Sequence, residues 1–393
     1  MKSIRKMKFS INRRRALTAL ISGMGGFVLP SRFAFGDQQT PYKRMFDDPL
    51  QFTGPDGSAS GDQYCIGVFS PESGERSLLA GAQLAADEIN QAKMLDKPLR
   101  LIQRWADGPW GAGSQQLIKM AYEDDVIAII GGPDSASTHV AQQIALKAHL
   151  PLLAPAATDA TLTEIRVPWI FRMPPSDDAM SAALMQSGCI KNNTRMGMIY
   201  ADLHDARMAA TAFRKALQTQ NAPPLFDFIV PDEIGAMETA MQRAAQFSPD
   251  VIWVWFHQAH FKKFIKNAKR TNLCKRILTQ WKTDDPVSIN KSSGISITSA
   301  APFWWDTGSI KIQKFTKKYS KFMNGSKPSY RDAFSYDAIK MIAETIKRGG
   351  NSRKQLRDAI VGLNGFEGLA GRYEWDNGNG NLLQPVVVRS GVY

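Results

Sequence analysis

Cysteine is scarce in this 393-residue chain, which contains Cys65, Cys189 and Cys274 alone. Three scattered thiols exclude a disulfide framework and a cysteine-based metal site, although one bridge of undetermined pairing is compatible with an oxidising compartment. The five histidines are also dispersed, except that His257 and His260 lie one helical turn apart. That pair lacks the glutamate that follows the first histidine in a zinc-protease helix. The sequence therefore predicts neither a metal nor a cofactor.

Signatures of catalysis and nucleic-acid binding are absent as well. There is no Gly-Lys phosphate loop, nucleophile elbow, ordered triad, zinc finger or aromatic RNA-binding motif. The net charge is +13, but eight of the 49 basic residues precede the first acidic residue, leaving 41 against 36, or +5. Lysines in 261–276 and 311–322 alternate with Phe and Ile at helical spacing, which predicts solvated helix faces. Docking of these faces on an acidic partner is the alternative. We therefore expect no enzyme and no nucleic-acid partner.

Long hydrophobic runs are also missing. The amino terminus carries Arg13-Arg14-Arg15, a short apolar stretch interrupted by Ser, Gly and Pro, and then small residues around Ala34 to Gly36. A membrane anchor needs about 20 apolar residues. The pattern predicts a twin-arginine-type signal over residues 1–36, a loose Gly- and Pro-containing leader over 37–61, and a periplasmic mature protein. A lipid anchor is disfavoured because no cysteine follows the apolar stretch before residue 65.

Alternating strands and helices dominate the remaining chain. Residues 126–130 form a short apolar run typical of a buried parallel strand, and a glycine pair ends it. The segment 134–138 then places hydroxyls and a carboxylate at a predicted helix start, where backbone N–H groups are free. A second small-residue loop, 155–158, follows the next strand and opens on the same sheet edge. Open α/β sheets bind ligands at that edge, and free amides favour an anionic group.

The unit that begins at Asp125 recurs at Asp250, which predicts two similar α/β lobes with right-handed crossovers. A length of 357 residues after removal of 36 from 393 also favours two domains. The expected strands of the first lobe are 66–69, 99–105, 126–130, 151–154 and 169–172, and those of the second are 195–200, 226–230, 251–256 and 276–280.

A series of motifs resembles the type I periplasmic binding proteins, in particular the leucine/isoleucine/valine-binding branch that serves ABC importers of amino acids and amides. The motifs lie at 66–69, 81–90, 135–138 and 155–158, and in the segments 335–350 and 367–380. They follow the order of the family over about 330 residues. The resemblance implies an α/β fold of two Rossmann-like lobes with mostly parallel sheets, joined by a three-strand hinge.

The same resemblance implies how the chain divides and what it does. The first lobe would comprise 62–172 and 302–370, and the second 173–301 and 371–393. Closure of the hinge would trap a small amino acid, amide or carboxylate. The expected partners are that ligand and an ABC permease in the inner membrane, and the expected state is a monomer.

The resemblance places the carboxylate of the ligand at Ser135 and at the turn formed by Ala156, Ala157 and Thr158. Backbone amides and hydroxyls would hold it there. The alternative is that Ser135 and Thr158 only cap helices, which such residues often do. The two roles use the same free amides and do not exclude each other.

The other half of the pocket departs from the family pattern. Asp205 and His257 fall where the family has aromatic residues, and Trp281 falls where an acidic residue usually pairs with the ligand ammonium. In one interpretation Asp205 replaces that acid and the ligand remains an amino acid. In the other the ammonium is not required, and His257 and Trp281, with Trp110 or Trp304, line a cleft for an aromatic or larger acid or amide. Trp304 fits the hinge core equally well.

An accessory function is the rival hypothesis. A periplasmic accessory or sensor protein of the same fold would bind another ligand or a partner enzyme without feeding an importer. Twin-arginine export favours it modestly, because that route carries folded proteins. A neighbouring permease and ATPase gene pair would decide against it.

Overall fold

The computed structural model describes residues 61–392, apart from 109, 189, 192–193, 281–294, 304, 306–308, 364, 376–379 and 382–386. The predicted signal and nearly all of the predicted leader lie outside the described residues, as do Cys189, Trp281 and Trp304. Among the described residues, no helix is both long and apolar enough to cross a membrane.

The first sheet contains five parallel strands in the order β2-β1-β3-β4-β5. Its central strands are continuous runs of buried side chains, as expected where helices cover both faces. The strands are β1 (Tyr64–Phe69), β2 (Leu99–Arg104), β3 (Ala128–Gly131), β4 (Leu152–Ala154) and β5 (Ile170–Arg172).

The second sheet has six strands in the order β13-β10-β9-β8-β6-β7. All pairs are parallel except β10 with β13, which runs antiparallel at one edge. Trp253 and Trp255 on β8 are fully buried core residues. The strands are β6 (Met196–Ala201), β7 (Asp227–Val230), β8 (Val251–Trp255), β9 (Arg276–Gln280), β10 (Ser296–Ala301) and β13 (Val387–Val392), and β11 (Phe366–Glu367) pairs with β12 (Arg372–Tyr373) as a separate hairpin.

Eleven helices in the described part of the chain cover the two sheets. They are α1 (Leu79–Gln91), α2 (Trp110–Tyr122), α3 (Ser135–Lys147), α4 (Thr161–Glu164), α5 (Asp177–Gln186), α6 (His204–Thr219), α7 (Ile234–Ala245), α8 (Gln258–Thr271), α9 (Ile310–Phe322), α10 (Tyr330–Lys347) and α11 (Arg353–Val361). We call the first sheet with α1–α4 and α9–α11 the first lobe, and the second sheet with α5–α8 the second lobe. The predicted fold class, two α/β lobes with mostly parallel sheets, is confirmed.

The late helix α10 is the central support of the first lobe although it follows both sheets in sequence. It packs along α1, and Gly81 allows the two helices to approach closely, because a Cβ at that position would lie 2.2 Å from the Asp332 carbonyl oxygen. Asp337 on α10 is fully buried and accepts from the Leu369 and Ala370 amides and the Tyr373 hydroxyl at 2.6–2.8 Å. The residues around the β11–β12 hairpin are thereby fixed to the first lobe.

The chain passes between the lobes at neighbouring positions. Arg172, at the end of β5, pairs in parallel with Gly380, and the Asn381 amide donates to the Arg172 carbonyl at 3.1 Å. The Asn381 side chain also donates to the Met173 carbonyl at 3.0 Å and accepts from the Glu374 amide at 3.2 Å. The buried Asn381 thus joins two crossing segments, as expected of a hinge.

Glu88 on α1 joins three helices of the first lobe. Its carboxylate lies 2.7 Å from Lys318 on α9, 3.0 Å from Lys340 and 2.6 Å from the Tyr336 hydroxyl, both on α10. Burial opposes ionisation, but the hydrogen bonds from these three groups outweigh it and lower the pKa of Glu88 from 4.5 to about 2. The carboxylate is therefore ionised at neutral pH and stabilises the fold.

We expect Glu88→Gln to lower the free energy of unfolding by about 1–3 kcal/mol at pH 7. Because the folded pKa is below the unfolded value, this stabilisation is complete above pH 4.5 and is lost as the pH falls towards about 2. Thermal unfolding of both proteins at pH 7, 4 and 3 checks the trend. Glu344→Gln is the control, because Glu344 near the end of α10 makes an exposed pair with Arg348, the residue that follows this helix. A difference that persists unchanged at pH 3 would contradict the assignment.

Candidate ligand-binding site

The amino terminus of α3 lies at the carboxyl edge of the first sheet, directly after β3. Asp134 is its N-cap and accepts from the Ser137 amide at 2.8 Å. Gly132 lets the loop fold onto the first helical turn, because a Cβ there would lie 2.2 Å from the Ser137 hydroxyl. Arg76 pairs with Asp134 at 2.6 Å. Despite burial, this cation and the Ser137 donors hold the pKa of Asp134 below its usual value.

Ser135 joins the two predicted binding loops. Its hydroxyl accepts from the amides of Thr158 and Asp159 at 3.3 and 3.4 Å. Ser135 and Thr158 are 1% exposed, and Ala156 and Ala157 are completely buried. Neither Ser135 nor Thr158 is an N-cap residue, since Asp134 caps α3 and Ala160 precedes α4. Ser135 at the start of α3 therefore lies against the turn that contains Ala156, Ala157 and Thr158.

Asp205 from the second lobe reaches this turn. It lies in the first turn of α6, and its two carboxylate oxygens are 3.1 and 3.4 Å from the Ser135 amide, which donates to them. The free N–H groups and positive dipole of a helix start favour such an anion. Asp205 thus contacts the Ser135 amide, where the resemblance places the carboxylate of a ligand. Its proposed pairing with an ammonium remains a prediction.

A second contact between the lobes lies beside the first. Oδ2 of Asp159 is 2.9 Å from Nε2 of His139 and 3.1 Å from Nε2 of His204, which begins α6. The two imidazole rings meet edge to face at 5.4 Å. The hydrogen bond to Asp159 raises the pKa of His204, and the two histidines and Thr161 outweigh burial to lower the pKa of Asp159 far below its usual value. A shared carboxylate therefore bridges histidines of both lobes.

Asp177 adds a buried carboxyl group behind the same turn. Its amide donates to the Thr158 carbonyl at 2.9 Å, but neither of its carboxyl oxygens forms a hydrogen bond of standard geometry with a described residue. Burial, followed by the charge of Asp205, raises the pKa of Asp177 to about 8, and Asp159 acts in the same direction. Acidic groups are thus concentrated where the two lobes meet.

The other predicted second-lobe residues are placed differently. His257 is the N-cap of α8, its side chain is 57% exposed, and its Nε2 lies 3.7 Å from Asp232. His260 contacts the same carboxylate at 2.8 Å. Trp281 follows β9 but lies outside the described residues, and Trp110 begins α2. The structure thus places Ser135, Ala156, Ala157, Thr158 and Asp205 next to one another. The ligand-binding roles of His257 and Trp281 stay predictions.

The two lobes and the crossing segments have the arrangement of a known family. Residues 63–390 match the sequence profile described as periplasmic binding protein. The chain belongs to this family. The family consists of non-enzymatic solute-binding proteins, so the prediction that the chain is not an enzyme is confirmed, as is the resemblance found in the sequence.

Solved structures share the fold of this periplasmic binding protein at low sequence identity. A substrate-binding protein of an ABC transporter from Desulfitobacterium hafniense, in complex with Leu, is 21% identical with a TM-score of 0.71, covering 84% of this chain and 97% of that one. A branched-chain amino acid transporter substrate-binding protein from Streptococcus pneumoniae, in complex with isoleucine, is 22% identical with a TM-score of 0.71, covering 81% and 93%. A solute-binding protein from R. palustris, in complex with benzoate, is 17% identical with a TM-score of 0.71, covering 83% and 92%.

The match to curated proteins is partial. Glutamate receptor 3.2 of Arabidopsis thaliana is 22% identical over 248 residues, which is 60% of this chain and 27% of the receptor. Glutamate receptor 3.7 of the same plant is 23% identical over 240 residues, 57% of this chain and 25% of the receptor. The chain thus spans about a quarter of the length of the curated relatives it matches.

Sequence reasoning missed the group formed by His139, Asp159 and His204. A signal was present, because each lies within one to four residues of Ser135, Thr158 or Asp205. The 65 positions between the two histidines hide this signal, because the contact between α3 and α6 that brings them together is not visible in the sequence.

Proposed function

We propose that this protein is the periplasmic solute-binding component of an ABC importer, which closes its two lobes on a small amino acid, amide or carboxylate. The contact between Ser135 in the first lobe and Asp205 in the second carries the proposal. It consists of a backbone donor at a helix start and a carboxylate in the cleft, which is the interaction a ligand acid would make. Contacts that need both lobes exist only when they are together, so such a ligand favours closure.

The most specific part of the proposal concerns the ligand carboxylate. Leucine, isoleucine and benzoate, which relatives of this fold hold, each carry one. We infer that a ligand carboxylate replaces Asp205 at the Ser135 amide. Asp205 then has two options that match the two interpretations of the sequence: it pairs with the ammonium of an amino acid, or it moves aside for an acid without an amine.

Localisation, partner and domain boundaries belong to the same proposal. Residues 1–36 would direct twin-arginine export and 37–61 would form a leader. The first lobe would comprise 62–172 with 302–370, and the second 173–301 with 371–393, except that the β11–β12 hairpin would go with the first lobe, because the Tyr373 hydroxyl donates to Asp337. The ligand would pass to an ABC permease, the protein would act as a monomer, and His257 and Trp281 would complete the second-lobe wall of the cleft.

The Asp205→Asn variant tests which option applies. The purified protein and the variant are screened by thermal shift against leucine, isoleucine, benzoate and small amides. A ligand at 100 times its Kd adds about 2.7 kcal/mol of stability, which raises Tm by a few degrees. We expect benzoate-type acids to bind the variant at least as tightly as the wild type, because a competing carboxylate is gone. Amino acids should bind the variant more weakly if Asp205 pairs with their ammonium.

Asp202→Asn is the matched control, since Asp202 pairs with Arg207 at the exposed start of the same helix. It should leave every affinity unchanged. A variant at Asp205 that loses acids and amino acids equally would overturn the displacement argument. Absence of any shift with any ligand, in wild type and variant alike, would favour the accessory or sensor protein over the importer component.

A further inference from the structure

Three side chains of the types that bind metals lie together where the two lobes meet. The donor atoms of His139, Asp159 and His204 all lie within 4.8 Å of one another, and no other described residues form such a group. Asp159 Oδ2 is 2.9 and 3.1 Å from the two histidine Nε2 atoms. In a tetrahedral zinc site with bonds of about 2.0–2.2 Å, ligand atoms are about 3.3 Å apart. Small side-chain rotations would therefore create that geometry.

The carboxylate is already oriented by a neighbouring residue. The second oxygen of Asp159, Oδ1, accepts from the Thr161 amide at 2.9 Å and from the Thr161 hydroxyl at 2.8 Å. Oδ2 is thereby left to face both imidazoles. Hydrogen bonds to the outer oxygen of a ligating carboxylate are typical of metal sites, because they fix its orientation. Asp159 is 2% exposed, so its position is set by packing as well.

The surroundings favour a cation. Asp205 follows His204 directly and lies at the Ser135 amide, and Asp177 is buried without a standard hydrogen bond to its carboxyl oxygens among the described residues. A bound cation near the Asp159 and Asp205 carboxylates lowers the cost of holding these two negative charges where the lobes meet. The two histidines are 23% and 37% exposed, so the open side of the group is accessible to an ion and to water.

We propose that His139, Asp159 and His204 bind a divalent transition-metal ion of the zinc type, with the fourth position open to water or to a cleft ligand. Two imidazoles and one carboxylate form a donor set that suits zinc, whereas magnesium and calcium prefer oxygen ligands. Two ligands come from the first lobe and one from the second. The ion therefore joins the lobes and, like any ligand that binds one state better, favours their closed arrangement. This site goes beyond the proposed function and does not depend on it.

The test is zinc binding by the purified full chain, prepared without a metal-affinity tag and treated with EDTA, followed by calorimetry with ZnCl₂ and visible spectroscopy with CoCl₂. We expect one ion per chain and intense cobalt bands of a tetrahedral site. His139→Gln, His204→Gln and Asp159→Asn should each weaken zinc binding at least tenfold. Zinc should raise the Tm of the wild type and not that of His204→Gln.

His260→Gln is the matched control, because His260 also contacts a carboxylate, that of Asp232, in the second lobe. Its zinc affinity should stay within twofold of the wild type. Unchanged zinc binding in His204→Gln would show that the ion does not join the two lobes. Loss of zinc binding in His260→Gln alone would show that the ion binds near Asp232 and would overturn the proposal. Metal-free Tm values within about 2 °C of the wild type establish that the variants fold. The zinc titration contains no organic ligand, so a negative result does not bear on the thermal-shift screen for amino acids and acids. A negative screen likewise does not bear on zinc binding.

Discussion

Replacement of Arg353 by Met should lower the free energy of unfolding by about 3–5 kcal/mol. Arg353 is 6% exposed at the first position of α11, and its guanidinium donates to three backbone carbonyls of the first lobe. These are Val126 at 3.1 Å, Ala148 at 3.1 Å and Ala121 at 2.6 Å. Ala148 is the C-cap of α3 and Ala121 lies in the last turn of α2, where carbonyls lack helical partners. Met fills similar volume but leaves these acceptors without the guanidinium.

Lys354→Met provides the comparison, because Lys354 is the next residue of α11 and is exposed. Its effect should stay within about 0.5 kcal/mol. Urea unfolding followed by circular dichroism measures both differences. Equal stabilities of the two variants would show that the three carbonyl contacts do not support the first lobe.

Gly81→Ala should destabilise the protein by about 2–3 kcal/mol, although alanine is the better helix former. The added Cβ would lie 2.2 Å from the Asp332 carbonyl oxygen, 2.6 Å from the Asp332 Cα and 2.6 Å from the Ser335 hydroxyl. Two of these three atoms belong to the backbone of α10, so no side-chain rotation relieves the overlap. The helices must separate, and buried packing along their whole contact is lost.

Gly235→Ala is the same chemical change, but we expect it to have the opposite effect on stability. Gly235 is exposed in α7, and a Cβ there would meet nothing within 4 Å. This substitution should stabilise by about 0.5–1 kcal/mol through helix propensity. Thermal unfolding of the two variants measures both changes in stability. If both substitutions stabilise the protein, helix propensity rather than packing against α10 determines the effect at position 81.

Strand positions could be predicted well wherever apolar residues run without interruption. The run 126–130 predicted β3, and the structure places the strand at Ala128–Gly131, because Asp125 has a positive φ of 56° and turns the chain before it. The sequence also predicts helices over 308–323 and 331–348, and the structure has them at Ile310–Phe322 and Tyr330–Lys347. Boundaries shifted by one or two residues because caps and turns, rather than periodicity, determine where an element ends.

The candidate site could be predicted only in part, for a different physical reason. Ser135 and Thr158 follow neighbouring parallel strands, so sheet topology alone brings them to one edge. The approach of His204 and Asp205 depends on how one lobe meets the other, and no local pattern in the sequence encodes that distance. The interlobe hydrogen bonds of Ser135 and Asp159 therefore could not be predicted from hydrophobic periodicity or motif spacing.

The position of α10 affects how the chain acquires its structure during synthesis. All five strands of the first sheet have been synthesised by residue 172, yet the helix that covers α1 spans Tyr330–Lys347. The first-lobe sheet is therefore synthesised early and completed late, after the second-lobe strands β6–β10 have been made. A chain truncated after residue 329 would still contain that whole sheet, but the Gly81 face of α1 would be exposed to water. Premature termination near the carboxyl end should thus destabilise the first lobe, which contains the amino-terminal strands. Chaperones that bind exposed apolar surface should then recognise α1.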